Sequence, residues 1–150
     1  MDFLSNFSET LSELILMHNL NSTKLSKQLN IDRSTLTKYL AKRSFPKLTY
    51  AITIADYFGC TLDYLFGLTN EYNKKTYLPC PPFYQVFQEI LKSHNCTQYR
   101  LYTDLNFNDK SVIAWHKGKS IPAMDNLIKI SEYFECSLDE LVGRKPVEKI

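Results

Sequence analysis

Leu11, Leu14, Ile15 and, one turn on, His18 share one helical stripe, which predicts a first helix over residues 7–19. Leu25 and Leu29 then lie four apart behind Asn21, a good N-cap, so a second helix is expected from Ser22 to Leu29. Asn30 suits the left-handed residue that ends a helix, and Asp32 suits the cap of a third, from Arg33 to about Lys42, with Leu36, Tyr39 and Leu40 inward. Ser44-Phe45-Pro46 breaks the chain, because the residue before proline avoids helical torsion angles. A fourth helix, Leu48 to Phe58, carries Ala51, Ile52, Ile54 and Ala55 at core spacing, and Thr61 caps a short fifth, Leu62 to Phe66, stopped by Gly67.

The pattern then returns. Residues 7–67 and 83–143 repeat at a constant offset of 76 without a gap, pairing Phe7 with Phe83, His18 with His94, Leu25 with Leu101, Pro46 with Pro122, Phe58 with Phe134, Cys60 with Cys136 and Gly67 with Gly143. A period this long exceeds the roughly 20–50 residues of a solenoid repeat, so it reads as a duplicated domain. The second copy predicts helices over 83–94, 98–105, 109–117, 124–134 and 138–142, with Thr97 and Asn108 as caps and Asn106 ending the second. No segment of either copy reads as a strand. The expected architecture is all-α: two tandem five-helix domains, residues 1–67 and 83–150, joined by a proline-containing linker, 68–82. Tyr72, Tyr77 and Leu78 suggest that parts of that linker lie against a domain.

Composition narrows the function. An apolar fraction of 44% and a charged fraction of 23% are those of an ordinary globular protein. No run approaches the ~20 apolar residues of a membrane span, and the N-terminus lacks the basic start and apolar stretch of a secretory signal. The four cysteines form no CxxC pair and no Cys/His metal spacing; Cys60 and Cys136 sit behind aromatic pairs, where a reduced cysteine acts as a small buried hydrophobe. A reducing cytoplasm is the expected compartment. No nucleophile, base and orienting group share a recognisable spacing, and only four glycines are present, none in a phosphate loop. Neither an enzyme, a metal site nor a cofactor is expected. His18 and His94 are expected to meet helix carbonyls, and Tyr39 and Trp115 to be core.

The second and third helices of each copy are short and joined by a tight turn, Leu29-Asn30-Ile31-Asp32 and Leu105-Asn106-Phe107-Asn108. That is the pattern of a helix-turn-helix, in which the second helix braces the third against the major groove. Through 20–29, 32–39 and Phe45-Pro46 in the first copy, and Thr97-Gln98, Leu105, Ser111, Trp115, Gly118-Lys119 and Pro122 in the second, both copies resemble the Cro and phage-repressor (lambda-repressor-like) family of DNA-binding regulators. The closing phrase from Cys136 to Gly143 is especially similar to that family's last helix. The resemblance implies sequence-specific binding to double-stranded DNA, usually as a transcriptional repressor or activator.

In the first copy Ser22 opens the second helix, where a hydroxyl and helix N-terminal amides meet phosphate. Arg33, Ser34, Thr37 and Lys38 are the third-helix positions that the core does not claim, and Arg33 has the fork to reach guanine bidentately. Lys42, Arg43 and Lys47 follow at the turn, where the resemblance implies phosphate contacts. The exposed face of any helix is charged, so a single lysine says little, but the grouping says more. Residues 22–48 hold seven basic residues against one acid, whereas the whole chain has a net charge of only +2, which leaves the remainder acidic.

The second copy departs from this. Gln98 matches a glutamine common in the family, and Lys110, Ser111, Lys117 and Lys119 keep donors at the corresponding surface. Yet Asp109 replaces Arg33, Ile113 replaces Thr37, Ala114 replaces Lys38, and residues 98–124 carry four basic residues against two acids. The Ile113-Ala114 surface suits thymine methyl groups and equally suits protein, as a homodimer contact or a partner surface of antitoxin-like or antirepressor-like kind.

Overall fold

The computed structural model describes residues 2–148. The chain divides after Thr76 into two compact units. Unit one holds α1 (Phe3–Met17), α2 (Ser22–Leu29), α3 (Arg33–Leu40), α4 (Leu48–Phe58) and α5 (Leu62–Leu65). Unit two holds α6 (Phe83–Ser93), α7 (Gln98–Leu105), α8 (Asp109–Lys117), α9 (Met124–Tyr133) and α10 (Leu138–Val142). The last four helices of each unit begin 76 residues apart, so the duplication is one of backbone as well as of sequence. Among the described residues the β-structure amounts to one isolated bridge, Tyr77 to Pro146.

The first helices differ. α1 starts at Phe3, not at Phe7, because the Asp2 carboxylate accepts the Ser5 amide and hydroxyl at 3.1 and 2.6 Å and caps an extra turn. The matching positions of unit two, Pro79, Cys80, Pro81 and Pro82, lack the amides and torsion freedom for that turn, and α6 begins only at Phe83. α3 ends at Leu40, earlier than the sequence suggested. Lys42 takes a left-handed φ of 60°, and the Arg43 and Lys42 amides fold back onto the Lys38 and Tyr39 carbonyls at 3.0 and 3.2 Å. This is the Schellman close of a helix, built on lysine. The corresponding residue of unit two is Gly118, at φ 78°.

Each core is aromatic at its centre. In unit one the Phe7 ring stacks on Phe66 at 5.2 Å and meets the edge of Tyr39 at 5.5 Å, among fully buried Leu11, Leu25, Leu36, Ile54 and Leu62. In unit two Phe87 stacks on Phe83 at 5.4 Å and meets the edge of Trp115 at 6.5 Å. Each such side chain contributes about 1.5–3 kcal/mol by leaving water. Ile52, Leu40 and Cys136 are half-buried where the spacing suggested full burial; Cys60 is inside.

The segment 68–82, expected as a linker, divides between the units: residues up to Thr76 pack on unit one and those from Tyr77 on unit two. In unit one the Tyr72 hydroxyl donates to the Phe58 carbonyl at 2.5 Å, its ring stacks on Tyr64 at 5.1 Å, and the Lys75 amide donates to Gly59 at 2.9 Å. In unit two the Leu78 amide donates to the Lys145 carbonyl at 2.9 Å. Arg144 lies 3.5 Å above the Tyr77 ring and donates to the Asp139 carboxylate at 2.9 Å, nearly out of solvent.

That packing dictates a glycine. Gly59 has φ 69°, and a Cβ there would stand 2.7 Å from Lys74 Cγ and 2.9 Å from the Lys75 carbonyl oxygen. Its counterpart Glu135, at φ 53°, is exposed. Gly59→Ala is expected to destabilise unit one by about 2 kcal/mol or more, through strain and displacement of residues 74–75, whereas Glu135→Ala stays within about 0.5 kcal/mol of the parent. Urea unfolding of the two variants checks this; equal losses would contradict it.

Candidate nucleic-acid interface

The turn between α2 and α3 is fixed from both sides. Asn30 adopts φ 55°, the Ile31 amide reaches back to the Ser26 carbonyl at 3.2 Å, and the Ser26 hydroxyl donates to the Ile31 carbonyl at 2.5 Å. Ile31 is buried beneath the turn. Unit two repeats the device: Asn106 has φ 56°, the Phe107 amide returns to Tyr102 at 2.9 Å, and the Phe107 ring meets Trp115 edge-on at 5.4 Å. Asparagine tolerates the left-handed conformation, and the apolar residue after it, Ile31 buried and Phe107 half-buried, packs under the turn.

The rotation of the third helix follows from what it buries. Leu36 and Tyr39 point inward on α3, and burial pushes the Tyr39 hydroxyl up to about 12. A first-helix side chain then holds the far end: the Ser8 hydroxyl donates to the Tyr39 carbonyl in unit one, and the Gln88 amide donates to the His116 carbonyl at 2.7 Å in unit two. Both acceptors lie in the last helical turn, whose carbonyls lack intrahelical partners. With the inner face fixed, Arg33, Ser34, Thr37 and Lys38 are exposed on the outer face, and Lys42, Arg43 and Lys47 are exposed at the turn that follows. Ser22 is half-exposed at the start of α2, beside Asn21, whose side chain accepts the Lys24 amide at 2.8 Å.

Several of these residues are already engaged. Thr37 donates its hydroxyl to the Arg33 carbonyl at 2.9 Å, so it presents a methyl group and an acceptor outward. Lys42 pairs with Glu9 of α1 at 3.2 Å, and Lys47 sits 4.3 Å above the Tyr50 ring. Glu9 and Tyr50 were not expected at the site. Tyr50, three positions beyond Lys47 in sequence, was a legible neighbour, whereas no spacing announces a contact between residues 9 and 42. Asp32 makes no capping hydrogen bond, against expectation, while Asn108 does, accepting the Ser111 amide at 3.2 Å.

The same frame in unit two carries a different surface. Gln98 and Ser111 are half-exposed, Lys110, Lys117 and Lys119 are exposed, Ile113 is 39% exposed and Ala114 half-buried. Tyr99, in the place of Thr23, is 66% exposed, a feature the sequence reading passed over. Both acids of this region are turned to other uses. Asp109 accepts the Lys110 amide at 2.9 Å, and Asp104 accepts the Tyr133 hydroxyl at 2.6 Å with Arg100 3.7 Å away. That hydrogen bond, with burial, holds the Tyr133 hydroxyl up at about 12. His18 and His94 contact the Leu14 and Ile90 carbonyls at 2.9 and 3.0 Å, as expected.

Each unit is therefore a five-helix bundle built around a helix-turn-helix. Residues 11–65 match the family model of the helix-turn-helix, and residues 87–146 match that of the Cro/C1-type HTH DNA-binding domain. The chain belongs to the Cro/repressor-like helix-turn-helix proteins, with two such domains in tandem. It is 36% identical over 53 residues to the cryptic phage CTXphi transcriptional repressor RstR of Vibrio cholerae serotype O1, a match covering 35% of this chain and 47% of that protein. It is 31% identical over 61 residues to the HTH-type transcriptional activator BcrR of Enterococcus faecalis, covering 41% and 30% respectively. The chain thus spans less than half the length of these relatives. No solved structure matches it significantly.

Lys42 provides a test of what its position is for. A non-glycine residue in the left-handed region carries about 1 kcal/mol of strain, and an exposed ion pair returns less than that. Lys42→Gly, the residue found in unit two, is expected to raise stability by about 0.5–1 kcal/mol, measured as the urea midpoint. A lower midpoint would show that the Glu9 pair outweighs the strain.

Proposed function

We propose that this protein is a sequence-specific double-stranded DNA-binding transcriptional regulator that works through both helix-turn-helix units. The observation that carries the reading is the outer face of α3 with the turn after it. There, exposed Arg33, Ser34, Lys38 and Arg43 surround a helix whose opposite face is locked into a core. Donors near the start of such a helix read base edges, and cations along the turn hold phosphates. The relatives are named as a repressor and an activator, so the reading is regulation through occupancy of a DNA site. Among the described residues no helix is long and apolar enough to cross a membrane, and the DNA-binding reading itself implies a place beside the DNA in the cytoplasm. No catalytic role is assigned to any residue.

Binding to duplex DNA is expected to weaken steeply with salt, the log–log slope growing by roughly −0.9 for each phosphate neutralised. Fluorescence anisotropy with a random duplex pool from low to moderate salt measures it. Salt-independent binding, or none at low salt, removes the DNA reading.

The side chains should also separate by role. Arg33→Ala or Lys38→Ala is expected to relax base preference, with a loss of about 1–3 kcal/mol on the preferred site. Lys42→Ala or Arg43→Ala is expected to weaken all duplexes alike and to flatten the salt slope by about one. Four variants indistinguishable from the parent in both selectivity and affinity would refute this assignment.

A further inference from the structure

The two units share a frame and differ in the chemistry that the frame presents. We propose that the chain reads a composite DNA site made of two unlike half-sites. Unit one takes guanine-containing steps through Arg33 and Lys38, and unit two selects thymine through contact of Ile113 and Ala114 with its C5-methyl group. This rests on the DNA-binding reading and adds to it the base class that each unit takes.

The comparison is fixed by burial. Leu36 and Tyr39 in α3, and Val112 and Trp115 in α8, fill equivalent buried positions, so both helices have the same rotation about their axes. Residues 113 and 114 therefore stand where 37 and 38 stand in unit one. In unit one that place holds a threonine and a lysine; in unit two it holds an isoleucine, 39% exposed, and an alanine. Lysine bonds to guanine O6 and N7, whereas an aliphatic group offers no hydrogen bond and gains only by covering apolar surface. In the major groove the apolar surface on a base edge is the thymine methyl.

The surroundings of Ile113 favour DNA over protein as what it meets. Lys110 and Lys117 lie three residues before and four after it, on the same face of α8, and both are exposed. Lysine is depleted at the centre of protein interfaces. An apolar spot with an ammonium group on each side suits a groove floor between two phosphate strands. Of the two acids nearby, Asp104 is turned to Tyr133 and Arg100, and Asp109, which keeps its charge while accepting the Lys110 amide, is outnumbered by exposed Lys110, Lys117 and Lys119.

The experiment begins with the full chain and selection of sites from random duplexes, followed by footprinting. Two protected half-sites of different sequence are expected, one containing guanine and the other thymine. Each thymine of the second half-site is then replaced by deoxyuridine, which removes the methyl group alone. At the contacted thymine the parent should lose about fourfold in affinity, the equivalent of one buried methyl group. Ile113→Ala should bind the thymine duplex more weakly and lose its sensitivity to uridine, while Arg33→Ala keeps that sensitivity. Circular dichroism confirms that the surface variants fold.

Affinity unchanged by every uridine, with the second half-site still protected, overturns thymine reading by unit two. A single selected half-site, or a palindrome bound by a chain that mass measurement shows to be dimeric, overturns the composite site; the second result makes the α8 face a candidate dimer contact. Failure to bind any duplex defeats the underlying DNA-binding reading, and this proposal with it.

Discussion

The aromatic side chain on the inner face of each third helix, Tyr39 or Trp115, is the contact on which the surface of its unit depends. Buried against Phe7 in one unit and Phe87 in the other, it sets the rotation of the helix about its axis. Because 3.6 residues make a turn, fixing one inward position fixes every outward one. The hydrogen bonds from Ser8 and Gln88 hold the C-terminal end of the same helix, so it is held at a point of its axis as well as in rotation. Side chains that read bases need that definition. A contact displaced by an ångström loses most of its directional hydrogen bonding.

The two units reach this common frame by different local means, and the differences show where stability and surface chemistry compete. At the close of the third helix unit two has Gly118, the residue that the left-handed position favours, and unit one has a strained Lys42. At the close of the fourth helix the assignment is reversed, Gly59 in unit one and Glu135 in unit two. Gly59 has a local reason, since residues 74–75 pass too close for a Cβ. Gly118 has one as well, since a Cβ there would stand 2.7 Å from the Tyr84 ring, whereas unit one has Ser8 at that place. Lysine adds a charge at the turn beside α3, where it pairs with Glu9 at 3.2 Å.

The sequence made the helices legible because their signals are local. Asn21, Thr97 and Asn108 each cap by a hydrogen bond to an amide three residues on, and Asn30 and Asn106 each end a helix by a left-handed turn. These depend on near neighbours, and so did the exposure of Arg33 and Lys38, which follows from the periodicity of Leu36 and Tyr39. What could not be read depends on distant segments. Glu9 reaches Lys42 across 33 residues, and Tyr72 crosses to Phe58, because tertiary packing brings them together. The early start of α1 was legible in principle. Asp2 with Ser5 three residues later is a capping pair, but the repeat does not extend to it, because the second copy has prolines there.

A duplicated domain separates two kinds of information that a single copy leaves mixed. Some positions where the copies agree, such as Leu25 and Leu101 or Leu62 and Leu138, are fully buried, and their agreement is accounted for by packing. Positions 33, 37 and 38 differ from 109, 113 and 114 in charge and polarity, although the backbone beneath them begins its helix at the same register. The fold therefore tolerates either set. Stability does not require an arginine and a lysine on one outer face, nor an aspartate, an isoleucine and an alanine on the other. The composite-site proposal accounts for the difference, because α3 and α8 present these side chains at the same place on the same frame.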